Sequence, residues 1–291
     1  MTPFILRRAL LSICFIFLSF SVSTAYSKTF TFTAIPDQDQ TRLKQRFEQV
    51  ANYLEKTLQI EVNYIPVKSY SAAITAFRNN QVQLAWFGGL SGVQARRLVP
   101  GSQAIAQGEE DQYFKTVIIA NTKTKLTNSK SLPSSPSKYT FAFGSKGSTS
   151  GRLMPEFYLR QHYKKPSDLI FKRVGFSGDH SRTIALVQSG AYDLGALNYK
   201  VWEQSLSDGL IDLNQVNVIW TTPDYPDYQW TIRGDTHKYW GSNFIEKVQK
   251  ALISMDQPKL LKAFPRTKFV TAHSRDYEVI LKTARSIGLI D

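Results

Sequence analysis

From Thr29 onward the apolar positions switch back and forth between two periods. TFTFTAIP (Thr29 to Pro36) alternates like a strand, and TRLKQRFEQVANYLEKTL then places Leu43, Phe47, Val50, Leu54 and Leu58 on one helical face. IEVNYIPV reads as a second strand, and SAAITAFRNN as a helix stopped by two asparagines. VQLAWFGG is a buried-type strand ending in a glycine pair. This βαβαβ order predicts a mainly parallel sheet with helices on its faces. After TVIIANTKT, the Ser/Pro-rich stretch Leu126 to Ser137 reads as a loop. The pattern then restarts: YTFAFGS as strand, SGRLMPEFYLRQHY as helix, LIFKRVGF as strand, HSRTIALVQSG as helix and YDLGAL as a short strand. VNVIWTTPDYPDYQWTIR carries two prolines in a crossover, and the segment from Ser242 onward reads as helices. Two α/β lobes are expected: residues 26–121 completed by 226–291, and residues 122–225. The crossovers are expected near Ile119 to Thr124 and Trp220 to Tyr228.

The first residues change the picture of compartment. Arg7 and Arg8 precede the apolar run Ala9 to Phe20, and Ser23-Thr24-Ala25 has the small residues of a cleavage site, so residues 1–25 read as a signal peptide for export to the periplasm. The apolar run is short for a membrane span. Cys14 is the chain's one cysteine; Ile13 before it does not suit a lipobox, and cleavage after Ala25 removes it. No disulfide framework or thiolate metal site is then expected. The formal net charge of +13, lowered to +11 by loss of Arg7 and Arg8, is scattered along the chain. For an exported protein, that favours a solvated basic surface or attraction to small anions over nucleic acid.

Candidate chemistry centres on GSKGSTSG (Gly144 to Gly151), where Ser148, Thr149 and Ser150 lie between a strand and a helix start. Helix N-termini present unpaired N–H groups and partial positive charge, and so bind phosphate-like anions. Hydroxyls add donors without bulk. Ordinary N-capping is the alternative reading. His180, near a helix start, is either a cap or surface residue or a further anion donor. Trp86, before the glycine pair, is open to core packing or to lining a cleft mouth with Gly88. Ser148, His180 and Asp193 could be written as a hydrolytic triad, but GSTSG is not a nucleophile elbow. The four histidines show no metal-binding spacing. No cofactor or metal is expected.

Three fragments together resemble one family. They are VKSYSAAITAFRNNQVQLAWFGGLSG, FGSKGSTSGRLMPEFYL and GDHSRTIALVQSGAYDLGAL. The family is the exported solute-binding proteins of phosphate, phosphite and phosphonate ABC transporters, and the VQLAWFGGLSGVQARR wording looks closest to a subgroup labelled selenate-binding. The resemblance implies a two-lobed α/β periplasmic-binding-protein fold of type II, with mixed, mainly parallel sheets and a ligand cleft between the lobes. It implies a non-enzymatic, monomeric receptor that hands a small oxyanion to a membrane permease with its ATPase. It places the anion on Ser148, Thr149 and Ser150, with His180 as pocket histidine, Tyr70 and Phe87 as aromatic walls, and Asp227 before the second crossover. The position that contacts a ligand amine in aminophosphonate binders aligns near Tyr199 or Lys200, which disfavours an amine-bearing ligand. Phosphite, methylphosphonate or phosphate is expected first, selenite or selenate second; a secreted phosphoester hydrolase is the remote alternative.

Overall fold

A computed structural model describes residues 28–291, so the expected signal segment, residues 1–25, lies outside the described residues. Strand β1 (Phe30–Ala34) leads to α1 (Gln40–Leu58), β2 (Val62–Tyr64), α2 (Tyr70–Arg78), β3 (Leu84–Phe87), α3 (Gly89–Leu98) and β4 (Gln103–Gly108). Asp39 caps α1 by accepting from Arg42 N–H at 3.1 Å, and Leu43, Phe47, Val50 and Leu54 bury the face that the heptad-like spacing marked out. These elements build the first lobe around an aromatic cluster that includes Phe32, Phe47, Trp86, Trp230 and Phe264.

The chain then crosses over. β5 (Thr116–Asn121), β6 (Thr140–Phe143), α4 (Met154–Tyr163), β7 (Arg173–Phe176), α5 (His180–Gln188), β8 (Leu194–Asn198), α6 (Tyr199–Ser207) and β9 (Val216–Thr221) form the second lobe. Phe141, Phe143 and Phe171 pack on one face of its sheet, and Ile119, Val187 and Leu197 on the other. β10 (Gln229–Ile232) returns to the first sheet, followed by α7 (His237–Trp240), α8 (Phe244–Ile253), α9 (Pro258–Ala263), β11 (Phe269–Thr271) and α10 (Glu278–Ser286). The expected all-helical C-terminal segment thus includes one short strand, β11, which pairs with β4 at the sheet edge.

The first sheet has the order β11-β4-β10-β3-β1-β2, the second β7-β6-β8-β5-β9. Pairs made within βαβ units are parallel. Each sheet also takes in one strand that arrives from the other lobe: β10 between β3 and β4, and β5 between β8 and β9, both antiparallel to their neighbours. The sheets are therefore more evenly mixed than the alternation alone implies. Because β5 belongs to the second sheet, the first crossing lies at residues 109–115, ahead of the expected Ile119 to Thr124; TVIIAN reads as a strand in either lobe, and local pattern does not encode which sheet it joins. The second crossing lies at residues 222–228. The two crossing segments pair, Phe114 N–H to Tyr225 carbonyl at 2.8 Å and the reverse at 3.0 Å.

Candidate functional site

Several helix N-termini point at the cleft between the lobes. Tyr70 is the first residue of α2 and His180 the first of α5, each following a residue (Ser69, Asp179) whose side chain caps the helix. Such first-turn positions aim their side chains at the same place as the unpaired N–H groups. In the second lobe, the Ser-Thr-Ser stretch opens into a single π-helical turn, Thr149–Leu153, before α4 begins, with Leu153 N–H reaching the Ser148 carbonyl at 3.0 Å. Such turns are rare and cluster at functional sites. The turn divides three like side chains into three tasks. Ser148 Oγ accepts from Gly151 N–H at 2.9 Å, an ordinary cap. Thr149 Oγ1 accepts from Leu90 N–H at 3.0 Å, across the cleft. Ser150 Oγ has no protein partner, while its carbonyl is fixed by the Thr116 hydroxyl at 2.9 Å.

The N-terminus of α3 has no cap of its own. Asp227 Oδ1 accepts from Gly89 N–H at 2.8 Å, and Leu90 N–H is the one that reaches Thr149. Gly88 permits this approach: a Cβ there would lie 3.1 Å from Asp227 Oδ1 and 3.3 Å from Thr149 Oγ1. Gly151 does the same for the histidine, since a Cβ would lie 3.0 Å from His180 Cε1. Tyr70 closes the other side, its Cβ 3.1 Å from where one on Gly147 would stand.

Four buried polar atoms in this region have no hydrogen-bond partner among the described residues: Tyr70 Oη, Ser150 Oγ, His180 Nε2 and Asp227 Oδ2. All four residues are at most 2% exposed. Native interiors pair almost all such atoms, so this region holds three unused donors and one unused acceptor facing the same cleft. His180 Nδ1 accepts from Asn198 N–H at 3.4 Å, which leaves the ring proton on Nε2, and burial pushes its pKa down to about 3, so the ring is a neutral donor. Burial raises Asp227 to about 7, against the pull of the Gly89 N–H and the Thr149 hydroxyl. Asp37, just past the end of β1, is raised by burial to about 6 although Tyr228 donates to it.

The other candidates go elsewhere. Phe87 packs edge-on against Phe77 inside the first lobe, ring centroids 5.7 Å apart. Trp86, on the opposite face of β3, stacks on Tyr228 at 5.5 Å and borders a cavity of about 20 Å³ beside Asp37 and Asn198, room for one water. Tyr199 is half-buried edge-on against Phe114, 4.9 Å between centroids. The triad is not assembled: Asp193 accepts from Thr140 N–H and Oγ1, both at 2.8 Å, at the far end of β8 from the Asn198 that meets His180. Sequence reasoning missed the Gly89 and Leu90 amides and the trio Asp37, Asn198 and Tyr228. An uncapped glycine pair before a helix, and an aspartate just past the carboxyl end of a sheet strand, were the available signals.

The family model described as the phosphonate ABC transporter periplasmic substrate-binding protein matches residues 32–277. The chain belongs to that family. Among curated members, it is 41% identical over 265 residues to the probable ABC transporter phosphite binding protein PhnD1 of Prochlorococcus marinus, covering 88% of this chain and 89% of that one. It is 28% identical over 219 residues to the phosphonates-binding periplasmic protein of Escherichia coli, covering 71% and 64%. The solved structure of PhnD1 in complex with methylphosphonate superposes with a TM-score of 0.86, at 40% identity, over 91% of this chain and all of that one. The two-lobed periplasmic-binding-protein fold of the family is thereby established for this chain.

Proposed function

We propose that this family member is an exported periplasmic receptor, without enzymatic activity, for a small oxyanion that carries one ionisable proton. Phosphite and methylphosphonate are the preferred ligands, delivered to a membrane permease and its ATPase. The carrying observation is the set of four buried atoms without protein partners: three donors (Tyr70, Ser150 and neutral His180) and one carboxylate oxygen, Asp227 Oδ2. The donors suit the oxygens of a tetrahedral or pyramidal anion, and Ser148 and Thr149 shape the turn that holds Ser150. The carboxylate decides among anions. A fully deprotonated anion meets a second negative charge there, whereas a ligand P–OH shares its proton in a short charge-assisted bond. With Asp227 near 7, the proton is available from either side at neutral pH.

PhnD1's methylphosphonate complex supports the same ligand class. Calorimetric titration of the protein against phosphite, methylphosphonate, phosphate, selenite and selenate tests the reading. Tight binding of phosphite or methylphosphonate with weak selenate binding is expected; selenate binding as tightly as phosphite overturns it.

A further inference from the structure

His180 stands in a closed ring of hydrogen bonds that passes between the lobes twice. Its backbone N–H donates to the Asp37 carbonyl at 2.9 Å, and its Nδ1 accepts from Asn198 N–H at 3.4 Å. Asn198 Nδ2 donates to Tyr228 Oη at 3.0 Å, and Tyr228 Oη donates to Asp37 Oδ2 at 2.8 Å, which closes the ring. All four residues are buried. His180 and Asn198 belong to the second lobe, Asp37 to the first, and Tyr228 ends the second crossing segment where it enters β10.

Each member is held in place by its own surroundings. Asn198 Oδ1 caps α6, accepting from Lys200 N–H at 2.7 Å and Val201 N–H at 3.2 Å, so Nδ2 is turned to Tyr228. The Tyr228 ring lies between Trp86 and Phe114, at 5.5 and 5.4 Å. The bonds that span the lobes, His180 to Asp37 and Asn198 to Tyr228, form only when the lobes come together, and no bond of the ring involves a ligand.

Resting on the anion-cleft reading of the site, we infer that this ring is a ligand-independent closure latch and that Tyr228 is its positioning residue. Closing the lobes completes the ring, and the completed ring holds His180 with Nε2 turned toward the anion. The latch thereby raises the share of closed, binding-competent molecules, and apparent affinity scales with that share. It sets affinity for every anion alike and leaves the choice among anions to the atoms that touch the ligand.

Tyr228→Phe keeps the ring stacking and removes the one hydroxyl that both accepts and donates. In the closed state it strands Asn198 Nδ2 and Asp37 Oδ2; in the open state water satisfies them. Amide hydrogen exchange at His180 in the unliganded variant is expected to run several-fold faster than in the unmodified protein. Kd for phosphite and for methylphosphonate is expected to rise by one common factor, about five- to a hundredfold, mostly through faster dissociation. Unchanged exchange at His180, or a changed phosphite-to-methylphosphonate ratio, overturns the latch. Failure of the unmodified protein to bind either anion overturns the anion reading instead, and the exchange measurement still judges the latch.

Discussion

Two aspartates lie side by side on the two crossing segments, equally deep and differently treated. Asp111 and Asp227 are both essentially unexposed, and Asp227 N–H donates to the Asp111 carbonyl at 3.0 Å. Both carboxylate oxygens of Asp111 are taken: Oδ1 accepts from Arg266 Nη2 at 2.7 Å, and Oδ2 from Arg266 Nε at 2.8 Å and Gly108 N–H at 3.0 Å. Asp227 has one oxygen on Gly89 N–H and one with no partner. A buried charge is tolerated where geometry satisfies it completely, and Asp111 is such a case. The incomplete neighbour costs stability, and that cost beside the cleft supports the proposed role of Asp227 as a ligand contact. On the proposed function, Asp111 is structure and Asp227 is function.

Breaking the satisfied member should give the largest effect. Arg266→Met leaves Asp111 buried and unpaired, and should lower unfolding stability by about 3–5 kcal/mol in urea titrations. Next come the donors on the unsatisfied side. On the proposed function, Tyr70→Phe and Ser150→Ala each remove a hydrogen bond to a charged ligand, worth about 1.5–3 kcal/mol, so phosphite should bind roughly ten- to a hundredfold more weakly. Stability without ligand should stay level or rise slightly in both, because each loses a buried orphan atom. A variant that loses stability and keeps its affinity would move that residue to the structural side of the comparison.

The titration of Asp227 sharpens the contrast further. Its pKa is about 7 when folded against 3.8 for an unperturbed aspartate, so between those values the folded state holds a proton that the unfolded state has released. Its contribution to stability is full below about pH 4 and lost as pH rises through about 7. Asp37, near 6, has the same sign. His180 has the opposite one: lowered from 6.5 to about 3, it costs stability as pH falls below about 6.5. Asp227→Asn removes one of these contributions, so the variant should gain on the unmodified protein between pH 4 and pH 8, reaching about 1–3 kcal/mol in thermal melts. Smallest of all should be the exposed pair that joins α1 to the end of α6, Arg42 Nη1 to Asp208 Oδ2 at 3.0 Å. Arg42→Ala should change affinity by less than about fivefold, an effect that shrinks further in high salt.

How much of this was legible in the chain follows from range. Ser150 and His180 sit in short motifs whose local grammar of small residue and helix start is visible in one dimension, whereas Tyr70 and Asp227 were marked only by the resemblance to the family. Trp86 was left open between core and cleft and Phe87 was expected as a cleft wall; neighbours on a strand face opposite ways, and β3 sends both into the first lobe's interior. The amides of Gly89 and Leu90 carry no side-chain signal. Asp37 and Tyr228 meet across 191 positions, so no window links them. The placement of β5 in the second sheet was hidden for a related reason: a strand announces its own period, while its neighbours are chosen by the rest of the fold.

The most direct test of the contrast between the two aspartates sets methylphosphonate against sulfate at neutral pH, by calorimetry, in the unmodified protein and in Asp227→Asn. Sulfate offers no proton to Asp227 Oδ2, so the unmodified protein should bind methylphosphonate at least a hundredfold more tightly (about 3 kcal/mol). In the variant, methylphosphonate should bind more weakly and the gap should narrow. Equal affinity for the two anions in the unmodified protein, or a gap that survives Asp227→Asn intact, would contradict the account.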